Sequence, residues 1–227
     1  MKRLILQVNV KLENTDKNFK RFEPVEDLYR LSESQAKLFA ERWGADYHQI
    51  TDCDFLPDKH PTFQRFKMYE MNYDQILYLD MDAVILNPCP NIFEEFKDHS
   101  FSAINNFEWS RGGVKFDTIR AQMNEIYGAS SDYRPFCAGI MLIRKDFLDN
   151  TRHLWRNHLY SYDERGEYDQ GIMNKLVVDL GGHYNELDKK WGAWFTVGRY
   201  IDHLGGPIRK KQFKLSRYLK RHNLCQN

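Results

Sequence analysis

The stretch QILYLDMDAVILNP, residues 75–88, constrains the fold of this chain more than any other. Its run ILYL is apolar at every position rather than at every second one. That is the pattern of a strand covered on both faces, as in a parallel sheet with helices on either side. The run stops at two carboxylates one residue apart, Asp80 and Asp82, and a second apolar run and the turn signal Asn87-Pro88 follow. In an extended strand, side chains two positions apart point the same way, so Asp80 and Asp82 are expected to face one site at the strand's carboxyl end. Open α/β sheets bind ligands at that edge. Carboxylates held there need a cation or donors to offset their desolvation. Hard oxygen ligands suit Mg2+ or Mn2+, which keep positions open for phosphate oxygens. Two aspartates that merely close a turn are the bland alternative, and the apolar runs on both sides weigh against it.

The rest of the chain alternates strand-like and helix-like segments. Residues 4–10 read as a first buried strand and residues 11–31 as a polar loop. Residues 32–43 place Ala36, Phe39, Ala40 and Trp43 at helical spacing, with Ser32 or Ser34 as a cap and Gly44 as a stop. Strands are predicted at 47–50, 75–79, 101–104 and 139–143, and helices at 63–72, 92–96, 146–158 and 168–178. Residues 108–135 have no clear period. Strands alternating with helices give an α/β class with a mainly parallel central sheet flanked by helices. A chain of 227 residues supports one domain with a real core rather than two.

Composition removes several classes of function. The net charge of +1 gives no overall field toward nucleic acid or membrane. No apolar run approaches the length of a membrane span, and the start MKRLILQVNV has too short an apolar stretch for a signal peptide. Cys53, Cys89, Cys137 and Cys225 are scattered, with no CxxC pair. They read as free thiols in a reducing compartment, hence a cytoplasmic location. Residues 209–221 carry seven Lys or Arg and no acid. That run reads as a solvated basic tail, with peripheral contact to an anionic membrane or a charged acceptor as the functional alternative. A second DxD, Asp52-Cys53-Asp54, lies in a loop rich in Asp, Pro and His without a second apolar run, and reads as a turn.

Four segments in order extend the picture. FKMYEMNYDQILYLDMDAVILNPCPNIFEEF resembles the central motif of GT-A (Rossmann-like) glycosyltransferases, nearest to the glycogenin and lipopolysaccharide galactosyltransferase family, family 8. Lys67, Asp80, Asp82, Asn87 and Phe93 fall into that motif. PFCAGIMLIRKDFLD resembles the family's Phe-Asn-Ser/Ala-Gly strand, YDQGIMN its Asp-Gln-x-x-x-Asn helix start, and DHLGGPIRK its closing His-x-x-Gly-x-x-Lys. The segments span residues 63–211, about two-thirds of the chain. Family 34, the plant-type xylosyl and galactosyl transferases, is similar in the same order. Two positions depart: Cys137 stands for the family's Asn, and Arg209 for its Lys.

The resemblance implies a single GT-A domain, with a nucleotide-binding half at 1–100, a sugar and acceptor half at 101–208 and a tail at 209–227. It implies a nucleotide-sugar donor, a UDP-sugar in this family, a glycan or other hydroxyl acceptor, and Mn2+ or Mg2+ as cofactor. Asp80, Asp82 and His203 would be the metal ligands, with Asp80 also near the ribose. Val8, Asn9 and Val10 would flank the base. Lys67, Ala138, Gly139, Gly206 and Arg209 would contact the donor, and Asp169 and Gln170 would stabilise or orient the reacting sugar. Retention is the expected outcome; were the enzyme inverting, Asp169 or Glu167 would be the base. Trp109, Trp191 and Trp194 are candidates for stacking on an acceptor sugar or for the core. The alternatives are a metal-dependent nucleotidyltransferase, against which the absence of a Gly-rich loop after residue 10 argues, and a non-catalytic carbohydrate-binding protein on a transferase scaffold.

Overall fold

Strand β3, Gln75–Leu79, is buried at all five positions, as a run apolar on both faces requires. In the computed structural model, which describes residues 1–10, 26–105, 125, 128–130, 132–159, 168–192 and 199–203, β3 lies inside a six-stranded sheet. The order is β2 (Asp46–Ile50), β1 (Arg3–Val8), β3, β6 (Phe136–Arg144), β5 (Phe101–Asn105), β7 (Asn185–Glu186). β1 pairs in parallel with β2 and β3, and β5 with β7. β6 pairs antiparallel with both β3 and β5. Five strands therefore run one way and β6 alone runs against them, so the sheet is the mainly parallel one that the sequence predicts. A separate ribbon pairs β4 (Ala83–Ile85) antiparallel with β8 (Ile201–His203).

Helices cover both faces. Helix α1, Glu26–Trp43, buries Leu28, Ser32, Ala36, Phe39, Ala40 and Trp43, a stripe at three- and four-residue spacing. Its apolar members pack with Ile5, Leu77 and Leu79. On the other face, helix α5 (Tyr168–Asp179) puts Ile172, Met173, Leu176 and Val177 into a core with Phe66, Tyr78 and Phe136. Each large apolar side chain buried in this way contributes about 1.5–3 kcal/mol. Short helices α2 (Ile92–Glu95), α3 (Lys145–Thr151) and α4 (Trp155–His158) complete the frame.

The structure corrects several boundaries. α1 is already helical at Glu26, because Leu28 extends the buried stripe by a turn. Ser32 is thus no cap. It is a buried mid-helix residue whose hydroxyl donates to the Ala83 carbonyl and accepts from Gln7 Nε2 at 2.8 Å. Gly44, at φ 63°, does end the helix as expected. The helix predicted at 63–72 is a run of tight 3-10 turns, Pro61–Glu70, opened by His60, whose ring accepts from Thr62 N. The helix predicted at 146–158 splits into α3 and α4. Most of residues 108–135 and the tail at 209–227 lie outside the described residues. Among the described residues, no helix is long and apolar enough to cross a membrane.

Candidate metal and donor site

β3 ends at Leu79, and the chain turns at once. Asp80 N donates to Gly139 O at 2.8 Å, and Ala83 N closes the turn on Asp80 O at 2.9 Å. The two aspartates therefore converge through a turn held by β6, rather than through strand alternation alone. The ribbon β4–β8 supplies the third member, because its register sets Ala83 opposite His203. His203 Nε2 lies 2.9 Å from Asp82 Oδ1 and 3.6 Å from Asp80 Oδ2. One ligand atom from each of Asp80, Asp82 and His203 lies within 4.8 Å of the others. Two carboxylate oxygens and an imidazole nitrogen so placed fit a divalent cation. The electrostatics say the same. Burial opposes charge on His203, yet Asp82 and hydrogen bonds with Asp82 and Cys137 raise its pKa well above the ordinary value. Burial raises the pKa of Asp80, against the pull of Arg65 and His203. The cluster attracts positive charge.

Arg65 is the residue that the sequence reading missed. It is 3% exposed, and its guanidinium reaches three partners. Nη2 lies 3.2 Å from Asp80 Oδ1, Nε lies 2.6 Å from Asp169 Oδ2, and Nη1 donates to Ala138 O at 2.7 Å. It also stacks 4.1 Å from the ring centroid of Tyr78. Burial alone would lower its pKa, but Asp169, Tyr78 and Asp80 reverse that, and the pKa is raised. The signal for Arg65 was present, since FQRFKMYE places a cation between Phe63 and Phe66. Lys67, the lysine that the resemblance singles out as a donor contact, is partly exposed two residues further on.

Strand β6 forms the floor. Ala103 of β5 opposes Met141, but the next residue, Ile104, opposes Cys137, so residues 138–140 bulge from that pairing. A Cβ at Gly139 would come within 2.3 Å of His203 Cε1 and 2.7 Å of Asp80 Oδ2. Only glycine lets the imidazole lie this close. Asp169 and Gln170 sit in the first turn of α5, and Gln170 Oε1 accepts from Ala138 N at 3.3 Å. Asn174, one turn on, accepts from Phe136 N at 3.0 Å and donates to Phe136 O at 3.1 Å, tying α5 to β6.

The structure thus brings together Asp80, Asp82, Ala138, Gly139, Asp169, Gln170 and His203. Val8, Asn9 and Val10 are half-buried at the end of β1, at the same carboxyl edge of the sheet. Gly206, Arg209, Glu167, Trp109 and Trp194 lie outside the described residues. Trp191 is a core residue, 4% exposed, edge-on to Phe96 and Tyr200. In the second DxD, Asp54 N donates to Asp52 Oδ1 at 3.2 Å, the turn that its composition suggested. Cys53, Cys89 and Cys137 are free thiols.

No protein-family model matches the sequence, and a search of curated proteins finds no match. The fold does match solved structures. A glycosyltransferase involved in the glycosylation of the major capsid of PBCV-1 superposes with a TM-score of 0.62 at 12% identity, over 95% of this chain and 100% of that one. Galactosyltransferase LgtC, in complex with donor and acceptor sugar analogues, gives 0.57 at 15% identity, over 96% and 94%. Mouse xyloside xylosyltransferase 1 gives 0.52 at 13% identity, over 92% and 99%. The fold is that of the GT-A glycosyltransferases, as the sequence resemblance implied. At such identities the likeness is one of fold, and the chemistry rests on the side chains of the site.

Proposed function

We propose that this chain is a metal-dependent glycosyltransferase that moves a hexose-type sugar from a UDP-sugar to a hydroxyl of a glycan or other acceptor, with retention at the transferred carbon. The observation that carries the reading is the convergence of Asp80, Asp82 and His203, with Arg65 bridging Asp80 to Asp169. In this reading residues 1–100 form the nucleotide-binding half and residues 101–208 the sugar and acceptor half of one domain. The nucleoside lies against Val8, Asn9 and Val10, and the free thiols suit a reducing, cytoplasmic compartment.

Asp80, Asp82 and His203 would hold Mn2+ or Mg2+, and the cation would supply positive charge to offset the negative charge of a departing diphosphate. The chain's own groups do the rest. Gly206 lets backbone approach the diphosphate, and Arg209 adds a planar cationic fork beside it, with Lys67 a second candidate. Arg65 holds Asp80 and Asp169 in register, so the ligand end and the sugar end of the site move as one unit. Asp169 lends negative charge to a sugar carbon that becomes oxocarbenium-like. Its Oδ2 is engaged by Arg65 Nε at 2.6 Å, which ties the carboxylate to the donor side of the site. Gln170 spends its carbonyl on Ala138 N, so its NH2 group is the end left to orient a sugar hydroxyl.

The test is calorimetric titration of UDP with and without Mn2+, on the unaltered chain and on Asp82→Asn. Binding that requires Mn2+ and disappears in the variant is expected, and a screen of UDP-sugars then identifies the donor. Binding of equal strength without metal, or unaffected by the substitution, overturns the reading.

A further inference from the structure

The two oxygens of Asp80 have different neighbours. Oδ1 accepts from the Tyr78 hydroxyl at 2.9 Å and from Arg65 Nη2 at 3.2 Å. Oδ2 faces His203 Nε2 at 3.6 Å and is the oxygen that a Cβ at Gly139 would crowd to 2.7 Å. The carboxylate thus has a held edge and a presented edge, and the presented edge belongs to the Asp82–His203 group. Tyr78 is 2% exposed and lies two residues before Asp80 in β3. Its ring carries the Arg65 guanidinium at 4.1 Å, so one side chain orders both donors to Oδ1.

Without these donors a carboxylate at a strand end is free to turn about its last torsion and present either oxygen. Ligand groups are commonly fixed by outer partners that cost 10–100-fold in metal affinity when removed. We infer that Tyr78 is a positioning residue of the metal site: its hydroxyl, backed by Arg65, fixes the Asp80 carboxylate so that Oδ2 is the oxygen presented beside Asp82 and His203. This rests on the reading of that cluster as a divalent-cation site.

A buried tyrosine also needs a partner for its hydroxyl merely to be buried, and the structure supplies a matched control. Tyr69 is 1% exposed, and its hydroxyl pairs with Thr151 Oγ1 at 2.7 Å. Tyr78→Phe and Tyr69→Phe each remove one buried hydroxyl, but only the first touches Asp80. The experiment measures Mn2+ binding to the full chain by titration with electron paramagnetic resonance of the free ion, together with metal-free melting. Tyr78→Phe is expected to raise the Mn2+ Kd by about 10-fold or more. Tyr69→Phe is expected to leave that Kd unchanged while melting at a similar temperature to Tyr78→Phe. An unaltered Mn2+ Kd in Tyr78→Phe, or an equal weakening in Tyr69→Phe, overturns the inference. Mn2+ binding that is absent from the unaltered chain, or that survives Asp82→Asn, overturns the metal-site reading itself and the inference with it.

Discussion

Arg65 and Asp169 form a buried ion pair, with Nε 2.6 Å from Oδ2 and side chains 3% and 7% exposed. The pair joins two segments a hundred residues apart, the 3-10 turns before β3 and the first turn of α5. The same guanidinium holds Asp80. Removing one partner of a buried pair leaves the other charge without compensation, at about 3–5 kcal/mol. Arg65→Met is therefore expected to lower the melting temperature by roughly 10 °C for a chain of this size, and to abolish sugar transfer. Arg65→Lys keeps the charge but not the planar three-way fork. It is expected to recover most of the stability and little of the activity. Equal activity in the lysine variant would remove Arg65 from the donor site.

Gly139 gives a more local probe. A methyl group there would meet His203 Cε1 at 2.3 Å and Asp80 Oδ2 at 2.7 Å, inside any tolerated contact. The backbone is not in the left-handed region, so the substitution acts through space alone. Gly139→Ala is expected to cost about 1–3 kcal/mol in stability through overpacking. Mn2+-dependent UDP binding should fall by more than 10-fold, because the displaced groups are two of the three proposed metal ligands. Calorimetry on a variant that melts cooperatively checks this, and undiminished binding would show that His203 need not lie where it does.

How much of this was legible in the sequence depends on what each residue had to signal. Asp80 and Asp82 announced themselves because an apolar strand leads into them. Ser32 misled because a polar residue at the start of an apolar period looks like a cap, whereas here its hydroxyl bridges Gln7 and Ala83 inside the fold. Arg65 showed itself only by lying between Phe63 and Phe66, because the partner that lets it be buried, Asp169, is brought to it by the fold across a hundred residues. β8 is three residues long, and only its pairing with β4 makes it a strand. The resemblance, not the periodicity, is what drew attention to His203.

The buried bridge of Ser32 is itself testable. Its hydroxyl accepts from Gln7 Nε2 and donates to Ala83 O, and Tyr47 OH donates to Gln7 Oε1 at 3.0 Å. Ser32→Ala leaves a buried amide and a buried carbonyl short of a partner, at about 1–3 kcal/mol. Urea denaturation is expected to register that loss. An unchanged midpoint would mean that the network re-pairs without the hydroxyl.

The pH dependence of metal binding follows from His203. Burial disfavours its charge, but Asp82 and the hydrogen bonds with Asp82 and Cys137 outweigh that, so its pKa stands well above the ordinary 6.5. Asp80 and Arg65 are the other charged groups at this point. In the metal-free chain a raised folded-state pKa stabilises the fold fully below 6.5, and that stabilisation fades as pH climbs through the folded value. A metal needs the neutral imidazole, so its binding must release that proton. The raised pKa of Asp80 acts in the same direction. Mn2+ affinity is therefore expected to climb with pH across the neutral range, by up to about 10-fold per unit while one proton is released. Over the same range the melting temperature of the metal-free chain should drift down, and the increment given by Mn2+ should grow. Calorimetry in buffers of different ionisation enthalpy reads the released proton directly. An affinity independent of pH, with no proton released, would mean that His203 is not a ligand and that the proton stays on its imidazole, facing Asp82.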